Sequence, residues 1–170
     1  MTAIKTTSTG KNVLRLFIAL WFLLGWMSHV YLVVTNPEGY RGFGNTALIP
    51  VYTTFWNEFV MPNITVFAIL LILFEITVGC LISSSGKWVK IGLVFSILFS
   101  LFLIQMGLSD TTADIWSNFA INRLPNSIFI ALQIPLFWGD FKQSLPMVIK
   151  GWFSKNGKWL YCSLEKSQYV

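Results

Sequence analysis

Hydrophobic residues are gathered into four stretches of the chain, separated by segments rich in polar and turn-forming residues. The first three stretches have the length, about 20 residues, at which a helix crosses roughly 30 Å of hydrocarbon. The fourth is interrupted by Pro135, which a membrane helix tolerates where neighbouring groups satisfy the freed carbonyl. The pattern predicts an all-α, polytopic membrane protein built as a four-transmembrane-helix bundle. Its spans are expected at about 14–35, 64–83, 89–108 and 124–141.

Composition and charge agree with a membrane location and predict an orientation. Of the 170 residues, 55% are hydrophobic and 11% are charged, whereas ordinary soluble domains are about 25% charged. Ten of the 12 Lys and Arg residues lie on one side of the predicted spans, and only Arg41 and Arg123 lie on the other. The positive-inside rule then predicts that both the N- and the C-terminus are cytoplasmic. A basic excess of this kind is typical of contact with anionic membrane lipid, so no nucleic-acid partner is expected.

Two segments outside the spans carry amphipathic patterns. In the first external loop, Val51, Phe55 and Phe59 recur at helical spacing after Pro50, which predicts an interfacial helix over 50–60. After residue 141 the chain alternates lysines with aromatic residues, a pattern typical of a segment resting on a membrane surface. The predicted organisation is therefore a membrane domain, 1–141, followed by a basic aromatic cytoplasmic tail, 142–170.

Glu75 is the single acidic residue within the second apolar stretch, and it indicates a site. An ionisable group at that depth costs about 2.5–3.5 kcal/mol on insertion scales, so it usually faces the bundle interior and has a partner there. Arg15 and His29 lie on one face of the first span, and the length of an arginine side chain favours an Arg15–Glu75 charge pair. His29 lies further out, so a bond to Glu75 would need helix tilt or a water.

Two roles remain open for this acidic site. Glu75 could serve only to pin the helices together by charge, or Glu75 and His29 could be candidate catalytic residues that handle a proton or a ligand. The polar and aromatic residues expected to line a pocket beside them are Phe22, Trp26, Gln105 and Gln133. The small residues expected to let helices pack closely are Gly79, Gly92, Ser96 and Ser100.

The same residue types exclude several kinds of site. The sequence has a single histidine, so it cannot supply the four axial ligands of a diheme bundle or a metal site built from His and Cys. Its two cysteines are not arranged as CxxC, which excludes the thiol-disulfide membrane oxidoreductases. We therefore expect no metal and no covalently bound cofactor.

The order of these features resembles the DoxX/DoxD-like family of small four-helix membrane proteins. The residues that carry the resemblance are Arg15-Leu16, Gly25, His29, Phe74-Glu75, Gly79 and Gly86-Lys87. It covers about 13–108, and its most specific elements are the arginine of the first helix and the glutamate of the second. The chain departs from the family at His29, where many relatives carry a lysine, and in its longer first external loop.

The resemblance implies a multi-pass subunit of a redox system in the plasma (inner) membrane, as in the small subunit of a thiosulfate:quinone oxidoreductase. In that role the bundle would offer an apolar cleft to a quinone, with Glu75, His29 or Arg15 supplying a hydrogen bond or a proton. Electrons would come from a soluble or peripheral redox partner. A non-catalytic membrane scaffold or assembly factor and a carrier of small hydrophobic ligands are the alternatives. Whether this chain is itself an enzyme, and whether it forms a homo-oligomer, stays open.

Overall fold

The computed structural model describes residues 7–109, 111 and 114–154, and the regular elements among them are all helical. The α-helices are α1 (Thr9–Thr35), α2 (Arg41–Asn45), α3 (Pro50–Phe55), α4 (Ile64–Ser83), α5 (Lys87–Met106), α6 (Ile115–Asn122) and α7 (Leu124–Gln133). Tighter 3₁₀ turns cover Pro37–Tyr40, Met61–Asn63 and Ile134–Trp138, and a wider π turn covers Trp56–Val60. Residues 145–154 are also helical, whereas the part of the predicted tail after residue 154 lies outside the described residues.

Three of these helices are long and apolar enough to cross a membrane: α1, the continuous helix Pro50–Ser83 and α5. The described residues thus confirm the predicted all-helical fold, and the three long apolar helices support the predicted membrane location. Large apolar side chains on their outer surfaces are exposed, as expected of helices that face lipid. A fourth apolar helix, Leu124–Trp138, is shorter than the other three. It consists of α7 and the 3₁₀ turn that Pro135 occupies.

The amphipathic segment of the first external loop is helical, but it is not a separate interfacial helix. From Pro50 the chain continues without a break through the π turn and the following 3₁₀ turn into α4. Pro62 explains why the ladder is irregular here, because proline has no N–H to donate to the carbonyl four residues earlier. The irregular turns bring Val60 into the protein interior, while Phe55 and Phe59 stay exposed.

The long helices pack in chain order, α1 against α4, α4 against α5 and α5 against α7, with a smaller contact between α7 and α1. We call the end of this bundle that contains the α4–α5 connection (84–86) the turn end, and the opposite end, with residues 36–49, the loop end. The chain returns to the turn end after α7, where the Gly86 N–H donates to the carbonyl of Phe141 at 2.8 Å. The main core lies there and includes Ile18, Ile82 and Leu93.

Small residues allow close approach between neighbouring helices. A Cβ atom on Gly79 would lie 2.7 Å from the side chain of Leu23 on α1. One on Gly92 would lie 2.9 Å from the backbone nitrogen of Ile82 on α4. Ser96 and Ser100, which follow Gly92 along α5, are buried as well. All four residues predicted to act in helix packing therefore lie at buried positions of α4 and α5.

Candidate functional site

An apolar cavity of about 530 Å³ lies at the loop end of the bundle, between α1, α4 and α5. Its volume falls within the range of sites that bind small organic molecules. The walls are mainly aromatic and aliphatic side chains, among them Phe67, Ala68, Leu71, Phe74, Phe99 and Phe102. Residues of the loop end complete the lining: Tyr40, Phe43, Trp56 and Val60. Only a few residues of the cavity lining carry polar side chains, so a polar group of a ligand could form hydrogen bonds in only a few places.

Glu75 is the acidic residue of the cavity lining, and it is 5% exposed. Its Oε1 lies 3.4 Å from Nε2 of His29, whereas its Oε2 has no hydrogen-bond partner. The carboxylate lies over Gly25 of α1, where a Cβ atom would be 3.4 Å from Oε1 and 3.5 Å from Oε2. Gly25 thus leaves open space beside the buried carboxylate.

His29 links Glu75 to Tyr40, a residue of the loop end. Its Nδ1 is hydrogen-bonded to the Tyr40 hydroxyl at 2.9 Å, and the two rings are stacked with centroids 6.0 Å apart. Tyr40 is held in place because Nε1 of Trp56 donates to its carbonyl oxygen at 2.8 Å. The result is a continuous chain of polar groups, Glu75–His29–Tyr40, which we call the polar triad. It runs from the apolar wall toward the loop end of the bundle.

The surroundings of Tyr40 keep its hydroxyl protonated. Burial, and secondly the negative charge of Glu75, raise the pKa of Tyr40 to about 12. A tyrosine in this environment acts at neutral pH as a hydroxyl that can both donate and accept a hydrogen bond. Tyr40 can therefore pair with either tautomer of His29.

The predicted Arg15–Glu75 pair is not formed, and this prediction is corrected by the structure. Arg15 is fully buried at the turn end, where Nε donates to the carbonyl of Ile82 at 2.7 Å and Nη1 to that of Gln143 at 3.0 Å. Its Nη2 donates to the carbonyl of Ser84. Arginine here satisfies carbonyls at the C-terminal end of α4, a position where a cation is favourable. Glu75 pairs instead with His29.

None of the four residues predicted to line a pocket lines this cavity. Phe22 is buried in the core, where its ring lies 6.2 Å from those of Phe99 and Phe129. Nε1 of Trp26 donates to the carbonyl of Leu23, and Gln133 is buried on α7. The fourth, Gln105, has a buried Nε2 without a hydrogen-bond partner.

The predicted pocket lining of α1 is wrong because it lies on a different face of this helix from the cavity. Trp21, Gly25, Ser28 and His29 are the cavity residues of α1, and they form a stripe about a quarter turn from the predicted one. Only His29 lies at the margin of both stripes. A glycine and a serine three residues apart, next to a histidine, are the signal in the sequence that could have indicated this face. Tyr40 was also missed, because no periodicity predicts where a short turn will fold back.

A second buried arginine, Arg123, stabilises the loop end next to the cavity through hydrogen bonds. Its Nη2 donates to the carbonyl of Thr46, and burial lowers its pKa below the usual value. Thr46 in turn donates from Oγ1 to the carbonyl of Met106, the last residue of α5, at 2.9 Å. These contacts tie the segment before α3 and the start of α7 to the end of α5, and so keep the residues that cover the cavity in place.

No protein-family model, curated protein or solved structure matches the chain. The resemblance to the DoxX/DoxD-like family therefore stays a prediction from sequence motifs.

Proposed function

We propose that the chain is a DoxX-like, multi-pass subunit of a redox complex in the plasma (inner) membrane, and that its cavity binds a quinone-type ligand. The observation that carries the proposal is the polar triad at one edge of an otherwise apolar cavity. A quinone headgroup is a flat ring with apolar faces and oxygen atoms at its edge, so it needs aromatic walls and a few polar groups in one place. Electrons would come from a soluble or peripheral redox partner.

The orientation belongs to the same proposal. We propose four crossings, with both termini and the turn end in the cytoplasm and the loop end outside. Most Lys and Arg residues of the chain then face the cytoplasm, as the positive-inside rule requires. The helix Leu124–Trp138 would be roughly 25 Å long, so it would need slight local thinning of the bilayer. In this arrangement the cavity lies in the outer half of the membrane.

Direct binding measurements test the proposal. The purified protein in lipid nanodiscs is titrated with a short-tailed benzoquinone and its hydroquinone, and heat release is followed by calorimetry. We expect saturable binding of one molecule per chain. Ala68→Leu, which places a larger side chain in the cavity wall, should weaken binding about tenfold or more. Leu73→Phe is the matched control, because Leu73 lies on the same helix but is exposed.

The outcomes separate the proposal from its alternatives. Binding that disappears in Ala68→Leu but not in Leu73→Phe supports a quinone-type site in the cavity. A carrier is favoured if a native membrane lipid or other hydrophobic molecule co-purifies with the protein, is displaced by neither the quinone nor the hydroquinone, and is lost in Ala68→Leu. Absence of any bound or binding ligand overturns the proposal and favours a scaffold or assembly factor.

A further inference from the structure

The carboxylate of Glu75 has one oxygen without a partner in the wall of the cavity. Glu75 is 95% buried by its surroundings, since only 5% of its surface is exposed, and Oε1 alone contacts His29. Oε2 is buried and makes no hydrogen bond. Buried polar atoms in folded proteins are nearly always hydrogen-bonded, so an unpaired carboxylate oxygen beside a cavity points to a ligand that supplies the missing partner.

Oε2 is a hydrogen-bond acceptor when Glu75 is ionised and also when Glu75 carries its proton on Oε1. If the proton is on Nε2 of His29, Nε2 donates to Oε1 and Glu75 is a carboxylate. If the proton is on Oε1, then Oε1 donates to Nε2 and Oε2 is the carbonyl oxygen of the acid. In both arrangements Oε2 has lone pairs and no hydrogen, so the missing partner is a donor.

Three hydrogen-bond donors of the cavity wall are already engaged within the protein. The Ser28 hydroxyl donates to the carbonyl of Gly25 at 2.7 Å, and Nε1 of Trp56 donates to Tyr40. The hydroxyl of Tyr40 is hydrogen-bonded to His29. The remaining indole donor of the lining belongs to Trp21, which is 60% exposed on α1. Among the described residues, the inner part of the cavity therefore offers a free acceptor and no free donor.

We propose that the cavity selects the hydroxyl-bearing, reduced form of its ring ligand, a hydroquinone or a closely related phenol, over the dicarbonyl form. This inference rests on the proposed function. A hydroquinone hydroxyl donates to Oε2 of Glu75 and completes its hydrogen bonding. A quinone oxygen in the same place is itself an acceptor, so two lone pairs would face each other. The faces of the ring pack equally well against Phe74, Phe99 and Phe102 in both forms.

The test compares three ligands that differ only in their oxygen substituents. Under anaerobic conditions the nanodisc-embedded protein is titrated with a short-tailed hydroquinone, the corresponding quinone and the corresponding dimethyl ether. We expect the hydroquinone to bind about tenfold more tightly than either of the others. The ether keeps the ring and the tail but lacks the donor, so this comparison needs no protein variant.

Glu75→Gln tests the assignment to Oε2, since glutamine has the same shape but can turn an NH₂ donor toward the ligand. We expect the preference for hydroquinone over quinone to fall below about threefold. Glu58→Gln makes the same chemical change at an exposed position of the π turn and should leave the preference unchanged.

Two results overturn this inference while leaving a quinone-type site intact. One is equal binding of the quinone and the hydroquinone to the unaltered protein. The other is a preference that persists unchanged in Glu75→Gln with a native circular dichroism spectrum. If none of the three ligands binds, the proposed function itself fails, and the inference fails with it.

Discussion

Two residues of α1 make a buried carboxylate tolerable at position 75. His29 supplies one partner for the acid, and Gly25 leaves open space beside the two carboxylate oxygens, which a Cβ atom at this position would contact. Loss of the His29 partner and addition of a side chain at position 25 are therefore different perturbations. The first changes the charge balance of the site, whereas the second changes only its shape and access.

Gly25→Ala separates access from stability. The added methyl group would lie 3.4 and 3.5 Å from the two Glu75 oxygens, at ordinary contact distance, so the fold should accept it. Alanine also favours a helix over glycine by up to about 1 kcal/mol. We expect an unchanged or slightly raised unfolding temperature together with a roughly tenfold weaker affinity for the short-tailed hydroquinone, measured by calorimetry.

Gly10→Ala is the matched control for this change, since Gly10 is also in α1 but has nothing within 4 Å of the added atom. It should leave affinity unchanged. A Gly25→Ala protein that binds as tightly as the unaltered one would show that ligand does not approach Glu75 from this side.

Arg15 contributes to the stability of the fold and does not line the cavity. Arg15→Leu would leave the carbonyls of Ile82, Ser84 and Gln143 without their buried donor, at a cost of about 2–4 kcal/mol in the free energy of unfolding. Arg15→Lys keeps the charge but loses the planar fork, so about half of that loss is expected. Unfolding in mixed detergent micelles, followed by circular dichroism, measures both.

The control for Arg15 is Lys90→Leu, which removes an exposed cation from the first turns of α5 and should change stability little. Ligand affinity supplies the second criterion. If folded Arg15→Leu protein lost hydroquinone binding as completely as a cavity variant does, Arg15 would belong to the site after all.

These residues show what a sequence can and cannot predict about a membrane site. An acidic residue inside an apolar stretch needs a partner for energetic reasons, so Glu75 and the first span were predictable as a pair. The partner depends on the register of two antiparallel helices, in which Gly25 lies level with Glu75. Arg15 is ten residues, or about 15 Å, from that level, whereas His29 is a single turn away. No apolar pattern fixes such a register.

At the scale of elements, the register between α4 and α5 depends on one glycine. Gly92→Ala would place a Cβ atom 2.9 Å from the backbone nitrogen of Ile82, and a backbone atom cannot turn aside as a side chain can. We expect α4 and α5 to separate slightly, with a loss of about 1–3 kcal/mol in the free energy of unfolding. Thermal unfolding followed by circular dichroism measures this loss.

Gly151→Ala provides the comparison, because nothing lies within 4 Å of its added Cβ and the residue is also helical. An equal effect of the two substitutions would contradict the close α4–α5 approach. Helix contacts of this kind set which residues face the cavity from α5, so Gly92→Ala should also weaken hydroquinone binding modestly.

The lengths of the long helices were predictable because a helix that crosses a membrane must be continuous and apolar, whatever it packs against. The structure of the loop end was not predictable, because this requirement does not apply there. Its 3₁₀ and π turns follow from local features such as Pro37 and Pro62, and its position over the cavity depends on single contacts such as that of Arg123 with Thr46. Neither kind of feature leaves a periodic trace in the chain.

At the scale of the whole molecule, three contacts bring the segment after α7 back to the turn end. Gly86 donates to Phe141, Arg15 to Gln143 and Lys11 to the carbonyl of Trp138 at 3.0 Å. The start of α1, the α4–α5 connection and the segment after α7 therefore lie at one end of the bundle. This arrangement agrees with the even number of crossings in the proposed topology.

Labelling of single cysteines tests the proposed topology. With Cys80 and Cys162 replaced by serine, cysteines are introduced at the exposed Glu58 and Thr111 of the loop end, and at Ser85 and Ser154, which come after α4 and after α7. A membrane-impermeant maleimide should label the first two in intact cells and the last two only after lysis. Labelling of Ser154→Cys, but not Ser85→Cys, in intact cells would mean that the short helix Leu124–Trp138 does not cross. Reversed labelling of both pairs would show that the orientation is inverted and that the cavity lies in the inner half of the membrane.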